Sequence, residues 1–124
     1  MTRIAIGLMA ILFAAFLWGC GISRDRFEEV SAYVLANMET LSAITETTFF
    51  TYETSGISVG GVYYGYYYTE ENRAMVPDFY AGGNLGNEYE EDGGTYFGQP
   101  NSGTDWCFVK QITDHWFYYE LHWA

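Results

Sequence analysis

The 124 residues carry 16 acidic against five basic side chains, a formal net charge of −11, and about a fifth of them are aromatic. Such an acid excess argues against a role built on phosphate contacts, whether to nucleic acid or to anionic lipid, because those contacts need clustered Lys and Arg. The length allows one small domain with core enough to fold without staples, and two cysteines cannot make a disulfide framework.

At the N-terminus one cation, Arg3, precedes an uncharged apolar run from Ile4 to Trp18 that closes on Leu17-Trp18-Gly19-Cys20. This is the layout of an export signal. The closing residues resemble the lipobox of bacterial lipoprotein signal peptides, with an aliphatic residue, Leu17, three before the cysteine and a small residue, Gly19, just before it. The resemblance implies a signal peptide over residues 1–19, a covalent lipid on Cys20, and a mature part over 20–124. It also implies a cell-envelope location, the head on the periplasmic or extracellular side of a membrane. Gly21 after the cysteine is similar to the residue found in lipoproteins sent to an outer membrane.

Two other readings compete. Extended to Ile22, the run gives nineteen uncharged residues, a helix of roughly 28 Å at about 1.5 Å per residue, which just spans a hydrocarbon core of roughly 30 Å. An uncleaved anchor of this kind would give a membrane stalk with a β head, similar in outline to pilin subunits but without the charged residue and cleavage site expected at the start of such a stalk. Ordinary secretion is the third reading.

All 16 acidic residues and four of the five cations lie beyond Cys20, so the mature part carries −12. That balance suits a basic partner, divalent cations or simple solubility. With Cys20 lipidated, Cys107 is the remaining thiol; within Trp106-Cys107-Phe108-Val109 it is expected to be a buried small hydrophobe.

After Cys20 the first element is predicted to be helical, with Ser23 as N-cap and Asp25, Glu28 and Glu29 in or near the first turn. Phe27, Val30, Val34, Met38 and Leu41 make one apolar stripe of about four turns. From Thr45 the composition turns to Thr, Phe and Tyr. Thr47–Tyr52 and Ile57–Thr69 are spaced as a hairpin. Gly60, Gly61 and Gly65 inside the second run predict a bulge, a bend or the close approach of another backbone. Residues 70–103 hold both prolines and the pairs Gly82-Gly83 and Gly93-Gly94, the composition of turns and loops, with short strands expected at Ala74–Tyr80 and Thr95–Phe97. A second hairpin follows, Trp106–Ile112 and His115–Trp123 about Thr113-Asp114. Alternation puts Phe117, Tyr119, Leu121 and Trp123 on one face and Trp116, Tyr118, Glu120 and His122 on the other. The expected fold is α+β, an amphipathic helix packed on a curved antiparallel sheet of about four or five strands.

Two constellations are candidate sites. Glu88, Glu90, Glu91 and Asp92, followed by Gly93-Gly94, supply oxygen ligands for calcium, although the spacing is not that of an EF-hand. Tyr63, Tyr64, Tyr66, Tyr67 and Tyr68, with Trp116 and Tyr118, put aromatic rings on both faces of neighbouring strands. Exposed members would suit sugar or protein recognition; buried ones would form a cross-strand ladder. His115 and His122 lie on opposite faces of one strand and cannot share a metal within a monomer. No nucleophile elbow, zinc motif, phosphate loop or dinucleotide fingerprint is present, which disfavours an enzyme. The sequence therefore predicts a membrane-anchored envelope lipoprotein whose acidic, Tyr-rich head is a protein-binding accessory or inhibitory module. The alternatives are a glycan- or calcium-binding head, or a subunit of a membrane-anchored, pilin-like assembly.

Overall fold

The computed structural model describes residues 26–56 and 61–123. The apolar run Ile4–Ile22, the lipobox with Cys20, and Ser23 lie outside the described residues. No helix among the described residues is long and apolar enough to cross a membrane. The chain divides into two units, Met1–Ala43 and Ile44–Ala124.

In the first unit the expected continuous helix is two, α1 (Phe27–Ala36) and α2 (Met38–Leu41). Asn37 separates them. Its Nδ2 donates to the Tyr33 carbonyl at 2.8 Å, an oxygen that also accepts the Asn37 N–H at 3.1 Å, and the same N–H reaches the Val34 carbonyl at 3.1 Å, the tighter bond of a closing turn. The apolar stripe is as the spacing predicts, with Val30, Val34 and Leu41 buried. Arg26 occupies the N-cap position and makes no side-chain cap bond.

The second unit is one antiparallel sheet of six strands, more than the four or five expected. The strands are β1 (Thr48–Ser55), β2 (Gly61–Tyr68), β3 (Glu88–Glu91), β4 (Gly94–Phe97), β5 (Trp106–Thr113) and β6 (Trp116–Trp123). Their spatial order is β1-β2-β6-β5-β4-β3. The β1–β2 hairpin and the β3–β6 meander are joined by antiparallel pairing of β2 with β6, from Gly61 opposite Trp123 to Tyr68 opposite Trp116. The β5–β6 turn falls at Asp114-His115, one residue later than expected, with His115 at φ 69°.

Alternation along β6 holds. Phe117, Tyr119 and Leu121 join Tyr67, Cys107 and Val109 in the hydrophobic core on one face. The segment between β2 and β3 covers that face, with Ala74, Met75, Tyr80 and Leu85 packed against the core. The strand expected at Ala74–Tyr80 is therefore irregular backbone, tied down by side chains instead of a ladder. Tyr67 is the principal tie. Its hydroxyl accepts the Met75 N–H at 2.7 Å and donates to the Arg73 carbonyl at 3.1 Å. Burial raises its phenol far above the usual tyrosine range.

Gly65 explains the unusual glycine content of β2. It lies opposite Tyr119 across the β2–β6 ladder, and the Tyr119 ring passes over it so that its hydroxyl donates to the Phe50 carbonyl at 2.9 Å. A Cβ on Gly65 would collide with that carbonyl oxygen and stand 2.5 Å from the ring. The expected bulge is present too, but on the neighbouring strand, where the β1–β2 register shifts between Thr51 and Glu53.

Candidate functional site

The acidic stretch that composition assigns to a loop is strand β3, and its hairpin to β4 turns at Asp92-Gly93. Both residues take positive φ, 58° and 77°, as a two-residue hairpin turn requires. Being a strand decides where the carboxylates go. Glu88 and Glu90 pair with Phe97 and Thr95 and share the core-side face, while Glu91 points to the other face. Asp92 sits in the turn and accepts the Tyr96 hydroxyl at 2.7 Å. Burial first, and then this carboxylate, push the Tyr96 phenol upward. The four candidate calcium ligands are thus dispersed. Among the described residues, no group of three or more His, Cys, Asp or Glu side chains is placed to hold a metal ion.

Glu88 and Glu90 instead form one wall of a cavity of about 710 Å³. Ala74, Val109 and Phe117 give it an apolar floor, and Arg73 and Gln111 also line it. The Gln111 side is fixed by a small network. Its Nε2 donates to Asn72 Oδ1 at 2.9 Å, which also receives the His115 N–H at 2.8 Å, while Asn72 Nδ2 donates to Asp114 at 3.0 Å. The carboxylates of Glu88, Glu90 and Glu91 form no ion pair and no side-chain hydrogen bond among the described residues. Here an apolar floor adjoins exposed carboxylates, with Arg73 the one cation among the described lining residues.

Most of the tyrosine set is closed off, with Tyr63 and Tyr68 half-buried and the others buried. Tyr63 and Tyr67 lie on the core side, and Tyr64, Tyr66, Tyr68, Trp116 and Tyr118 on the other. Tyr64, Tyr66, Tyr67, Trp116 and Tyr118 are buried. The rings pair with one another across strands, as in the ladder reading. Tyr67 stacks on Phe117 at 5.3 Å and 9°, and Tyr66 on Phe50 at 5.0 Å and 17°. Tyr63 packs against Phe79 and Trp123, and Tyr68 against His115 and Trp116. Rings that stack across strands have spent their faces on one another, and flat faces are what sugar recognition needs.

A polar cluster on the second face was only half legible in the sequence. Glu120 is 7% exposed and both carboxylate oxygens are engaged, one accepting the Tyr118 hydroxyl at 2.6 Å and the other contacting His122 Nε2 at 2.9 Å. The His122 ring stacks on Trp106, with centroids 3.7 Å apart and planes 7° from parallel. Period two put Tyr118, Glu120 and His122 on one face, but the Trp106 cap needs the β5–β6 register. A carboxylate held this way is satisfied within the sheet. Cys107 is fully buried, and burial raises its thiol well above the ordinary range, which disfavours the thiolate that a nucleophile needs. The chain matches no family model, no curated protein and no solved structure.

Proposed function

We propose that the protein is a membrane-tethered envelope lipoprotein whose head binds a basic segment of a protein partner, as an accessory or inhibitory module. The observation that carries this reading is the cavity beside β3, where Glu88 and Glu90 stand unpaired over an apolar floor of Ala74, Val109 and Phe117. A Lys or Arg side chain is both things at once, an alkyl stem that covers apolar surface and a cation that meets carboxylates. The net charge of −11 adds long-range attraction for such a segment. Stacked, buried tyrosines give the sugar-binding alternative less support, and the dispersed carboxylates do the same for calcium.

The test uses the full chain in detergent and the peptide acetyl-tetralysine-amide, titrated by calorimetry. Binding is expected, weakening as salt rises, and reversing Glu88 and Glu90 together to Lys is expected to weaken it at least tenfold, about 1.4 kcal/mol. Equal affinity in the parent and the charge-reversed variant would overturn the cavity as the site.

The tether rests on the resemblance at Leu17–Cys20 and has its own measurement. Intact mass of detergent-extracted protein from an expressing bacterium should show loss of residues 1–19 with added acyl mass. Cys20→Ala should abolish both changes. A full-length mass in parent and variant alike would replace the lipoprotein by a membrane-helix subunit.

A further inference from the structure

The two edges of the sheet are unlike. β3 is four residues long, Glu-Tyr-Glu-Glu, too short an edge to template an extended added strand. β1 is eight residues long, Thr-Phe-Phe-Thr-Tyr-Glu-Thr-Ser, with one charged side chain, and no strand among the described residues pairs with its outer side. We propose that this outer edge of β1 receives an extended, lysine-bearing segment of the partner protein as a seventh strand. The proposal rests on the head being a module for basic protein segments, and it adds a contact separate from the cavity.

Hydrogen-bond alternation identifies the free groups. The Thr69 N–H donates to the His115 carbonyl at 2.9 Å, so the odd-numbered residues of β2 turn their backbone groups to β6 and the even-numbered ones to β1. Through the β1–β2 register, Thr48 and Phe50 then bond inward to Tyr68 and Tyr66, while Phe49 and Thr51 turn outward. After the shift between Thr51 and Glu53, Thr54 turns outward as well. Thr51 and Thr54 are exposed. Such a row of donors and acceptors is the template for strand addition, in which main-chain bonds supply affinity and side chains supply selectivity.

Charge selects the occupant. Glu46 precedes β1, and the Glu70 backbone N–H, bonded to Thr47 Oγ1 at 3.2 Å, holds Glu70 beside the same end, with Glu71 next in sequence. A second copy of the chain would bring its own net −11 against this end, whereas a lysine-bearing strand is drawn to it.

The probe is acetyl-Lys-Thr-Val-Thr-Val-Thr-Val-Lys-amide, matched in length to β1, and a twin N-methylated at alternate residues on either edge, added to the full chain in detergent. The parent should bind the unmodified peptide and lose at least tenfold with the methylated twin. Thr54→Pro, which removes one outward donor at an exposed edge position, should weaken binding at least fivefold with little change in melting temperature. In the Glu88/Glu90-reversed protein, whatever binding remains should still fall at least tenfold with the methylated twin. Equal binding of both peptides, or loss only on Glu88/Glu90 reversal, would overturn strand addition while leaving the cavity reading standing. Concentration-dependent dimerisation of the parent that Thr54→Pro abolishes would overturn it in favour of a second copy. Because the methylated twin leaves the protein unaltered, a misfolded proline variant does not spoil the test.

Discussion

Gly65→Val is expected to cost about 3 kcal/mol of stability, on the order of a 12 °C or larger fall in melting temperature for a domain this size. The new Cβ has nowhere to go. On one side it meets the Phe50 carbonyl oxygen, which is backbone and cannot swing away, and on the other the Tyr119 ring at 2.5 Å. That ring is held by its own hydroxyl bond to the same carbonyl. Replacing Tyr119 by Leu in the Gly65→Val background removes the ring and leaves the carbonyl, so only part of the loss should return. Urea or thermal unfolding of the three proteins measures this, and a loss under about 1 kcal/mol in Gly65→Val would show that β1 can move aside.

Leu121→Ala should cost a similar amount, about 2–5 kcal/mol, for a different reason. Leu121 is fully buried near the middle of the sheet, opposite Tyr63 on β2 and Cys107 on β5. Truncation leaves a void beside Tyr63, whose ring is held against Phe79 and Trp123 and is not free to collapse into it. A second readout comes with the first. Cys107 is sealed in the native protein, so a thiol reagent reaches it only through opening. In a Cys20→Ala background, a 3 kcal/mol loss should raise the labelling rate by about two orders of magnitude. Labelling that stays at the parent rate while stability falls would mean that β5 remains closed when β6 loosens.

How far the sequence could be read depended on whether local or distant pairing decided the outcome. The two faces of β6 followed from alternation alone, because an edge-to-edge aromatic run of period two leaves no other arrangement. The stripe Val30, Val34, Leu41 followed from helical spacing, but the interruption at Asn37 did not, since a single Asn is tolerated within many helices. Strand β3 was hidden by its glutamates, which have low strand propensity; its pairing with Tyr96 and its neighbours on β4 outweighs that. A cross-strand ladder was one of the two readings of the tyrosines, but which strands it joins was out of reach, because nothing local marks β2 and β6 as neighbours. The cavity draws on Ala74, Glu88, Val109 and Phe117, four separate segments that only the completed sheet brings together.

The union of β2 with β6 also sets an order of events in synthesis. Gly61–Tyr68 leaves the ribosome long before its partner Trp116–Trp123 exists. Until then, the sheet's most tyrosine-rich strand has β1 on one side and nothing on the other. Closure of the centre is a late, long-range step, of the kind that makes β proteins fold in milliseconds to seconds. An unpaired aromatic strand waiting that long is an aggregation hazard, and a nascent chain of this design gains from being kept extended by a holding chaperone until its last strand is available.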